Sequence, residues 1–245
     1  MSVWTLPRLV VGHRGGRGDG WPPENTLAAF EKARAAGARA VELDARTCAG
    51  GEVVVFHDAT LERLTVSDDR RRVANVPFAE LEQLALADGA TIPALADVLG
   101  WARDHDVGVN VELKHDVPSR FELVRGAMKA WREQPADVLW SSFDPLLLAM
   151  ATALSPSSRR ALLTQSGSPW TRALDGLVRP PLVSTLHLDG EQARTGVEAF
   201  LKRGLRVGVW TINDTKEAID LFDRGVGSVI TDAPDRVLAA LGGGS

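Results

Sequence analysis

The stretch "RAVELDARTCAGGEVVVFHD", residues 39–58, decides the fold. Its first part is a short apolar run, Ala40 to Ala45, interrupted by Glu42 and Asp44. Side chains in a strand alternate with a period of two, so these two carboxylates point to one side. Its second part, "GGEVVVFHD", is strand-like again, and the turn-like "TCAGGE" leaves no room for a helix between them. Residues 44–58 therefore read as a β-hairpin excursion that leaves the sheet at Asp44 and returns at His57.

Outward from this segment, strands and helices alternate. "RLVVGH" precedes it, and "GVNVELK", "DVLWSSF", "RRALLT", "LVSTLHL", "RVGVWTI" and "SVITDA" follow. Each is short, rich in Val, Ile, Leu or Thr, and bounded by turn formers. Helical patterns lie between: "ENTLAAFEKARAAG", "VPFAELEQLAL", "IPALADVLGWARDH", "SRFELVRGAMKAWRE", "DPLLLAMATAL", "PWTRALDGLV", "GEQARTGVEAFLKRG", "TKEAIDLFDRG" and "PDRVLAAL". Several open with Pro, Asp, Asn or Thr, as capped helices do. Gly37, Gly204 and Gly225 close three of them after a turn carrying Arg or Lys, a left-handed exit at the negative end of the helix. Eight alternating strands predict a parallel sheet with helical crossovers. At this length the simplest solution is a closed (β/α)8 TIM barrel with a small β-hairpin insertion after the second strand. A doubly wound open sheet is the alternative. Residues 1–241 are expected to form one domain, and the glycine-rich 242–245 reads as a linker or tag remnant.

Composition narrows the function classes. The 245 residues are 44% hydrophobic and 24% charged, with a formal net charge of -4. That balance argues against nucleic acid as a partner. The one basic run, Arg70-Arg71-Arg72, follows Asp68-Asp69 and reads as a solvated loop. The single cysteine, Cys48, excludes an intramolecular disulfide and suits a reducing compartment. It is read as incidental rather than nucleophilic. Pro7 and Arg8 break the first apolar stretch, which is too short for a signal peptide. No run approaches the ~20 apolar residues that span a bilayer. A cytoplasmic protein without stable membrane association is expected; its oligomeric state is left open.

The polar residues near strand ends carry the chemistry. His13-Arg14 ends the first strand, Glu42 and Asp44 lie on the second, and His57-Asp58 ends the hairpin. Glu112 and Lys114 lie two apart on the next strand, hence on one side. Barrel strands are apolar on both faces as a rule, so three carboxylates on neighbouring strands need a counter-charge. One divalent cation, Mg²⁺ or Ca²⁺, would supply it, because the set is all oxygen. It lacks the thiolates and clustered histidines of a zinc site. Arg14 and Lys114 add fixed positive charge, which together with a metal suits a phosphate group. His13 and His57 remain for proton transfer. Each feature alone has a bland reading: Lys114 as the neutraliser of Glu112, and Trp210 as core. His187 and Asp232 are read as a satisfied polar pair or strand-end cap. The conjunction at the carboxyl ends of three strands, where barrel enzymes build their sites, carries the weight.

In order and spacing, His13-Arg14-Gly15, Pro23-Glu24-Asn25-Thr26, Glu42-x-Asp44, His57-Asp58, Glu112-x-Lys114 and Trp210-Thr211-x-Asn213 resemble the glycerophosphodiester phosphodiesterase family. The resemblance spans nearly the whole chain. It implies a TIM barrel with a small insertion and hydrolysis of small glycerophosphodiesters to glycerol 3-phosphate and an alcohol. It implies a divalent cation on Glu42, Asp44 and Glu112, and acid/base catalysis by His13 and His57. It puts phosphate contacts on Arg14 and Lys114, and a substrate-facing wall on Trp210. Glu24, Asn25 and Asp58 would support these groups from behind, with Asn25 also capping the first helix. The loop "GRGDGWP" between Gly15 and Pro23 departs from the commonest form of the family. Two rival readings are a lipid-directed barrel phosphodiesterase, lysophospholipase D or phospholipase C-like, and a non-catalytic barrel that binds phosphate or metal. The lipid reading needs an apolar rim or a basic amphipathic helix, and neither stands out. The non-catalytic one leaves two acid/base groups without a purpose.

Overall fold

The structure, a computed structural model, describes residues 1–67, 69–167 and 182–242. Its strands are β1 (Leu9–Gly12), β2 (Ala40–Thr47), β3 (Val53–Val55), β4 (Gly108–Leu113), β5 (Val138–Ser142), β6 (Arg159–Leu163), β7 (Thr185–Asp189), β8 (Arg206–Trp210) and β9 (Ser228–Thr231). All but β3 are parallel neighbours in the order β1-β9-β8-β7-β6-β5-β4-β2. Pairing of Val11 with Ala40 and Gly12 with Val41 joins β2 back to β1 and closes an eight-stranded barrel. The open-sheet alternative is thereby set aside. The helices are α1 (Leu27–Ala35), α2 (Phe78–Leu81), α3 (Leu95–Asp104), α4 (Arg120–Glu133), α5 (Pro145–Leu154), α6 (Gly190–Leu201), α7 (Thr215–Asp223) and α8 (Pro234–Gly242). The "PWTRALDGLV" segment and residues 243–245 lie outside the described residues.

Strand alternation divides the core. Val41, Leu43, Val109, Val111 and Leu113 face outward and pack with Phe30, Leu95 and Leu99 of the surrounding helices. Ala40 faces inward, in one cluster with Leu9, Val11, Leu139, Ala161 and Ile230. That parity puts Glu42 and Asp44 on the interior side too. Val3 and Trp4 close the amino end of the barrel, Trp4 Nε1 donating to the Asp137 carbonyl at 3.1 Å. Gly108 is required there: a Cβ would stand 2.2 Å from Val3 Cγ2. The polar residues are left to the opposite end.

β2 runs on past the barrel, where Ala45, Arg46 and Thr47 pair antiparallel with Val55, Val54 and Val53. The Phe56 N–H donates to the Asp44 carbonyl at 2.9 Å, returning the chain to the barrel. The hairpin is only the stem of the excursion. Cys48, Val54, Phe56, Leu61, Val73, Val76, Leu81, Leu86 and Ile92 form a separate buried cluster. Burial there pushes the Cys48 thiol up to about 11. The expected helix over "VPFAELEQLAL" shrinks to the single turn of α2. Leu81 and Leu86 both enter this cluster, and a continuous helix would turn residues five apart onto different faces.

Candidate active site

His13 stands one residue beyond β1, its N–H donating to the Thr231 carbonyl at 2.8 Å across the β1–β9 seam. Its Nδ1 is hydrogen-bonded to Asp232 Oδ1 at 2.7 Å, and its Nε2 lies 3.9 Å from Glu42 Oε2. Burial pushes this imidazole below its ordinary value, against the upward pull of Asp232. At Arg14 the backbone turns left-handed, with φ 51°. Its N–H donates to Glu42 Oε2 at 3.0 Å, Nη1 donates to Glu24 Oε1 at 2.8 Å, and Nε lies 3.0 Å from Asp44 Oδ2.

Asn25 does not cap α1. Thr26 does, its hydroxyl accepting from the Ala29 N–H at 3.2 Å. Asn25, at φ 61°, instead donates through Nδ2 to Asp44 Oδ2 at 2.9 Å and accepts the Asp44 N–H at 3.3 Å. The left-handed backbone turns this side chain inward, away from the helix end, and leaves the hydroxyl of the next residue over the free N–H groups.

Glu42, Asp44 and Glu112 are buried and each offers an oxygen within 4.8 Å of the others. Lys114 Nζ lies 2.9 Å from Glu112 Oε1 and 3.2 Å from Asp44 Oδ1. Burial, with Asp44 and Glu112 as like-charged neighbours, lifts the Glu42 carboxyl well above the usual carboxylate range. Burial lifts Glu112 as well, against Lys114. Burial also disfavours the Asp44 carboxylate, yet Lys114 and Arg14 hold it below the usual range. Lys114 and Arg14 thus keep Asp44 charged, while burial outweighs the pull of Lys114 on Glu112 and of Arg14 on Glu42. A hard divalent cation fits this buried all-oxygen donor set.

His57 follows β3 at the end of the hairpin. Its Nδ1 is bonded to Asp58 Oδ1 at 2.6 Å, and its carbonyl accepts from Arg46 Nε at 3.1 Å and Nη2 at 2.9 Å. Burial lowers its affinity for a proton; the nearby Asp44 raises it, and Lys114 and Arg14 lower it. Trp210, half-buried at the end of β8, meets Phe143 edge-on with centroids 5.3 Å apart. Its Nε1 donates to the His187 carbonyl at 3.2 Å.

The residues quoted from the first, second and fourth strands and from the hairpin thus meet at one end of the barrel. His187 and Asp232 do not form the satisfied polar pair expected: Asp232 pairs with His13, and neither ring nitrogen of His187 has a partner among the described residues. The readable signal was closure itself. If β9 adjoins β1 in register, Gly12 stands opposite Thr231 and the next residues, His13 and Asp232, meet. Arg17, Arg63 and Asn213 also went unnoticed as supports. Asn213 Nδ2 donates to Asp232 Oδ2 at 2.9 Å.

Barrel, acidic cluster and Asp-tied imidazoles define a phosphodiester hydrolase of the TIM-barrel class. Residues 13–236 match the glycerophosphoryl diester phosphodiesterase family, and the chain belongs to it. A glycerophosphodiester phosphodiesterase of Caldanaerobacter subterraneus subsp. tengcongensis is 30% identical over 247 residues, covering 95% of this chain and 97% of that one. A phosphodiesterase of Oleispira antarctica, solved with the product sn-glycerol-3-phosphate, superposes with a TM-score of 0.84 at 29% identity, covering 97% of both chains. A glycerophosphodiester phosphodiesterase of Thermotoga maritima superposes with a TM-score of 0.74 at 28% identity, covering 95% of this chain and 97% of that one. No helix among the described residues is long and apolar enough to cross a membrane.

Proposed function

We propose that the protein hydrolyses small glycerophosphodiesters to glycerol 3-phosphate and an alcohol, with one divalent cation and two histidines. The observation that carries this reading is a pair of Asp-tied imidazoles at the same end of the barrel as a buried acidic cluster. Each has its Nδ1 on an aspartate, which leaves Nε2 free to take or give a proton. Glu42, Asp44 and Glu112 would hold the cation, Mg²⁺ or Ca²⁺, which when bound draws charge from the non-bridging phosphate oxygens.

The chain's own residues do the rest. Arg14 and Lys114 attract the phosphate, and Arg14 is held in place by Glu24 and Asp44. One histidine takes the proton from the glycerol 2-hydroxyl as its oxygen attacks phosphorus. The other gives a proton to the departing alcohol oxygen as the P–O bond breaks. Water then opens the cyclic phosphate with the two roles exchanged. Trp210 forms a wall beside the bound glycerol. Glu24, Asn25 and Asp58 hold the groups that touch substrate.

The test is glycerol 3-phosphate release from a panel of glycerophosphodiesters, before and after dialysis against EDTA and after adding Mg²⁺ or Ca²⁺. Turnover is expected to vanish with EDTA and return with metal. Full activity in excess EDTA would remove the cation from the reading. Absence of glycerol 3-phosphate from every substrate would remove the reaction.

A further inference from the structure

Behind the two imidazoles lies a brace made of three arginines and one carboxylate. Arg17 belongs to the glycine-rich loop between Gly15 and Pro23. Its guanidinium grips Asp232 with Nε at 2.8 Å from Oδ1 and Nη2 at 3.0 Å from Oδ2. Its own N–H donates to the Asp232 carbonyl at 2.8 Å, so backbone and side chain hold the same residue. On the other arm, Arg63 Nε donates to Asp58 Oδ2, while Asp58 Oδ1 holds His57. The two arginines meet at Glu24. Arg63 Nη2 is 2.7 Å from Oε1, Arg17 Nη1 is 3.4 Å from Oε2, and Arg14 Nη1 is 2.8 Å from Oε1. Glu24 is buried, and despite that burial Arg63 and Arg14 bring its carboxyl down to about 2, so it stays charged.

We infer that Arg17 and Arg63 are matched positioning residues, each setting one imidazole through its aspartate, with Glu24 coupling the two arms into a single brace. The inference rests on the reading of His13 and His57 as the proton-transfer pair. Arg17 fixes both oxygens of Asp232, and Arg63 fixes the Asp58 oxygen that His57 leaves unused; each carboxylate then fixes the ring plane and tautomer of its histidine. The arginines stand behind the aspartates, so they act on turnover rather than on substrate affinity. Glu24 opposes three cations with one charge, which draws all three toward a common point.

The experiment is steady-state kinetics on the metal-loaded enzyme with glycerophosphocholine as probe. Arg17→Ala is expected to lower kcat by roughly 10- to 100-fold, the range for groups that orient site residues from behind, with KM changed less than about threefold. Millimolar guanidinium should restore part of that loss, because the Arg17 side chain is partly exposed. In an Asp232→Asn background Arg17→Ala should cost little more, while in an Asp58→Asn background it should cost its full factor. Arg63→Ala should show the reverse pattern. Combined, Arg17→Ala and Arg63→Ala should fall short of the product of the two single losses, since each loosens Glu24. Thermal unfolding checks the fold, and Arg17→Lys is used if Arg17→Ala does not fold. A raised KM at unchanged kcat would make Arg17 a substrate contact and overturn the proposal. Equal losses in both aspartate backgrounds would overturn it too, and simple multiplication of the two arginine losses would remove the coupling. Full activity of His13→Ala would instead sink the underlying two-histidine reading, whatever Arg17 does.

Discussion

The two histidine arms follow one plan and are built in opposite ways. His57 takes its aspartate from the next residue and its arginine from five residues beyond that aspartate. His13 takes its aspartate from 219 residues away, across the seam where the last strand meets the first. The His13 side chain is 12% exposed and that of His57 is 32% exposed. One arm therefore exists only when the barrel is closed, whereas the other is carried by a local hairpin. A site assembled from both has one member that reports on global folding and one that does not. The Glu24 contacts join them, which ties the local arm to the closed one.

The strongest test of this comparison removes the imidazoles. His13→Ala and His57→Ala are each expected to lower kcat by roughly 10²–10⁴-fold, with the fold intact by circular dichroism. A nitrophenyl ester of glycerol phosphate needs no proton on its leaving group. The variant lacking the acid should recover much of its rate on that substrate, and the variant lacking the base should not. Identical responses of the two variants would abolish the division of labour between the arms.

Arg14 lies between the arms, on Glu24 and Asp44. Arg14→Lys keeps the charge and loses the fork, and is expected to cost on the order of 2–4 kcal/mol in kcat/KM. A wild-type kcat/KM in this variant would place Arg14 outside the site.

The asymmetry itself is tested by the aspartates. Asp232→Asn and Asp58→Asn should each lower kcat by roughly 10- to 100-fold. Asp232 also accepts from Arg17 across the seam and from Asn213 beyond β8, so only Asp232→Asn should depress Tm by several degrees. Equal Tm losses would mean that the seam pair contributes no more to closure than the local one.

His187 serves as the control, an imidazole with no hydrogen-bonded carboxylate among the described residues. It is buried on β7, and burial pushes its pKa down to about 3. The unfolded chain, with an ordinary histidine near ~6.5, binds the proton first. Stability from neutral His187 is therefore full above about pH 6.5 and lost as pH falls towards 3, by at most about 1.4 kcal/mol per pH unit. Urea unfolding of His187→Gln should show a shallower decline over that window. An unchanged slope would show that His187 is not the group responsible.

Much of the architecture was legible because it rests on short-range rules. Strand–helix alternation, with Asp144 as a helix cap, follows from local propensity and capping. Glu42 and Asp44, or Glu112 and Lys114, share a side because a strand repeats every two residues. The adjacency of His57 and Asp58 needs no tertiary information. The hairpin pattern marks only the stem of the insertion, because Phe56, Leu61 and Ile92 of its buried cluster lie outside helices and strands, where no periodic pattern marks burial. The place of Asn25 is not legible in the sequence, because its left-handed φ does not show in a capping pattern and the Asp44 carboxylate it grips lies on another element.

The sequence by itself determined the elements, their order, and which polar side chains share a strand face, since each depends on residues a few positions apart. Only the tertiary structure decided that His13 meets Asp232, that Asn25 grips Asp44, and that Arg14, Arg17 and Arg63 converge on Glu24. Those contacts depend on the closure and register of an eight-stranded ring, a property of all its strands at once and of no single stretch.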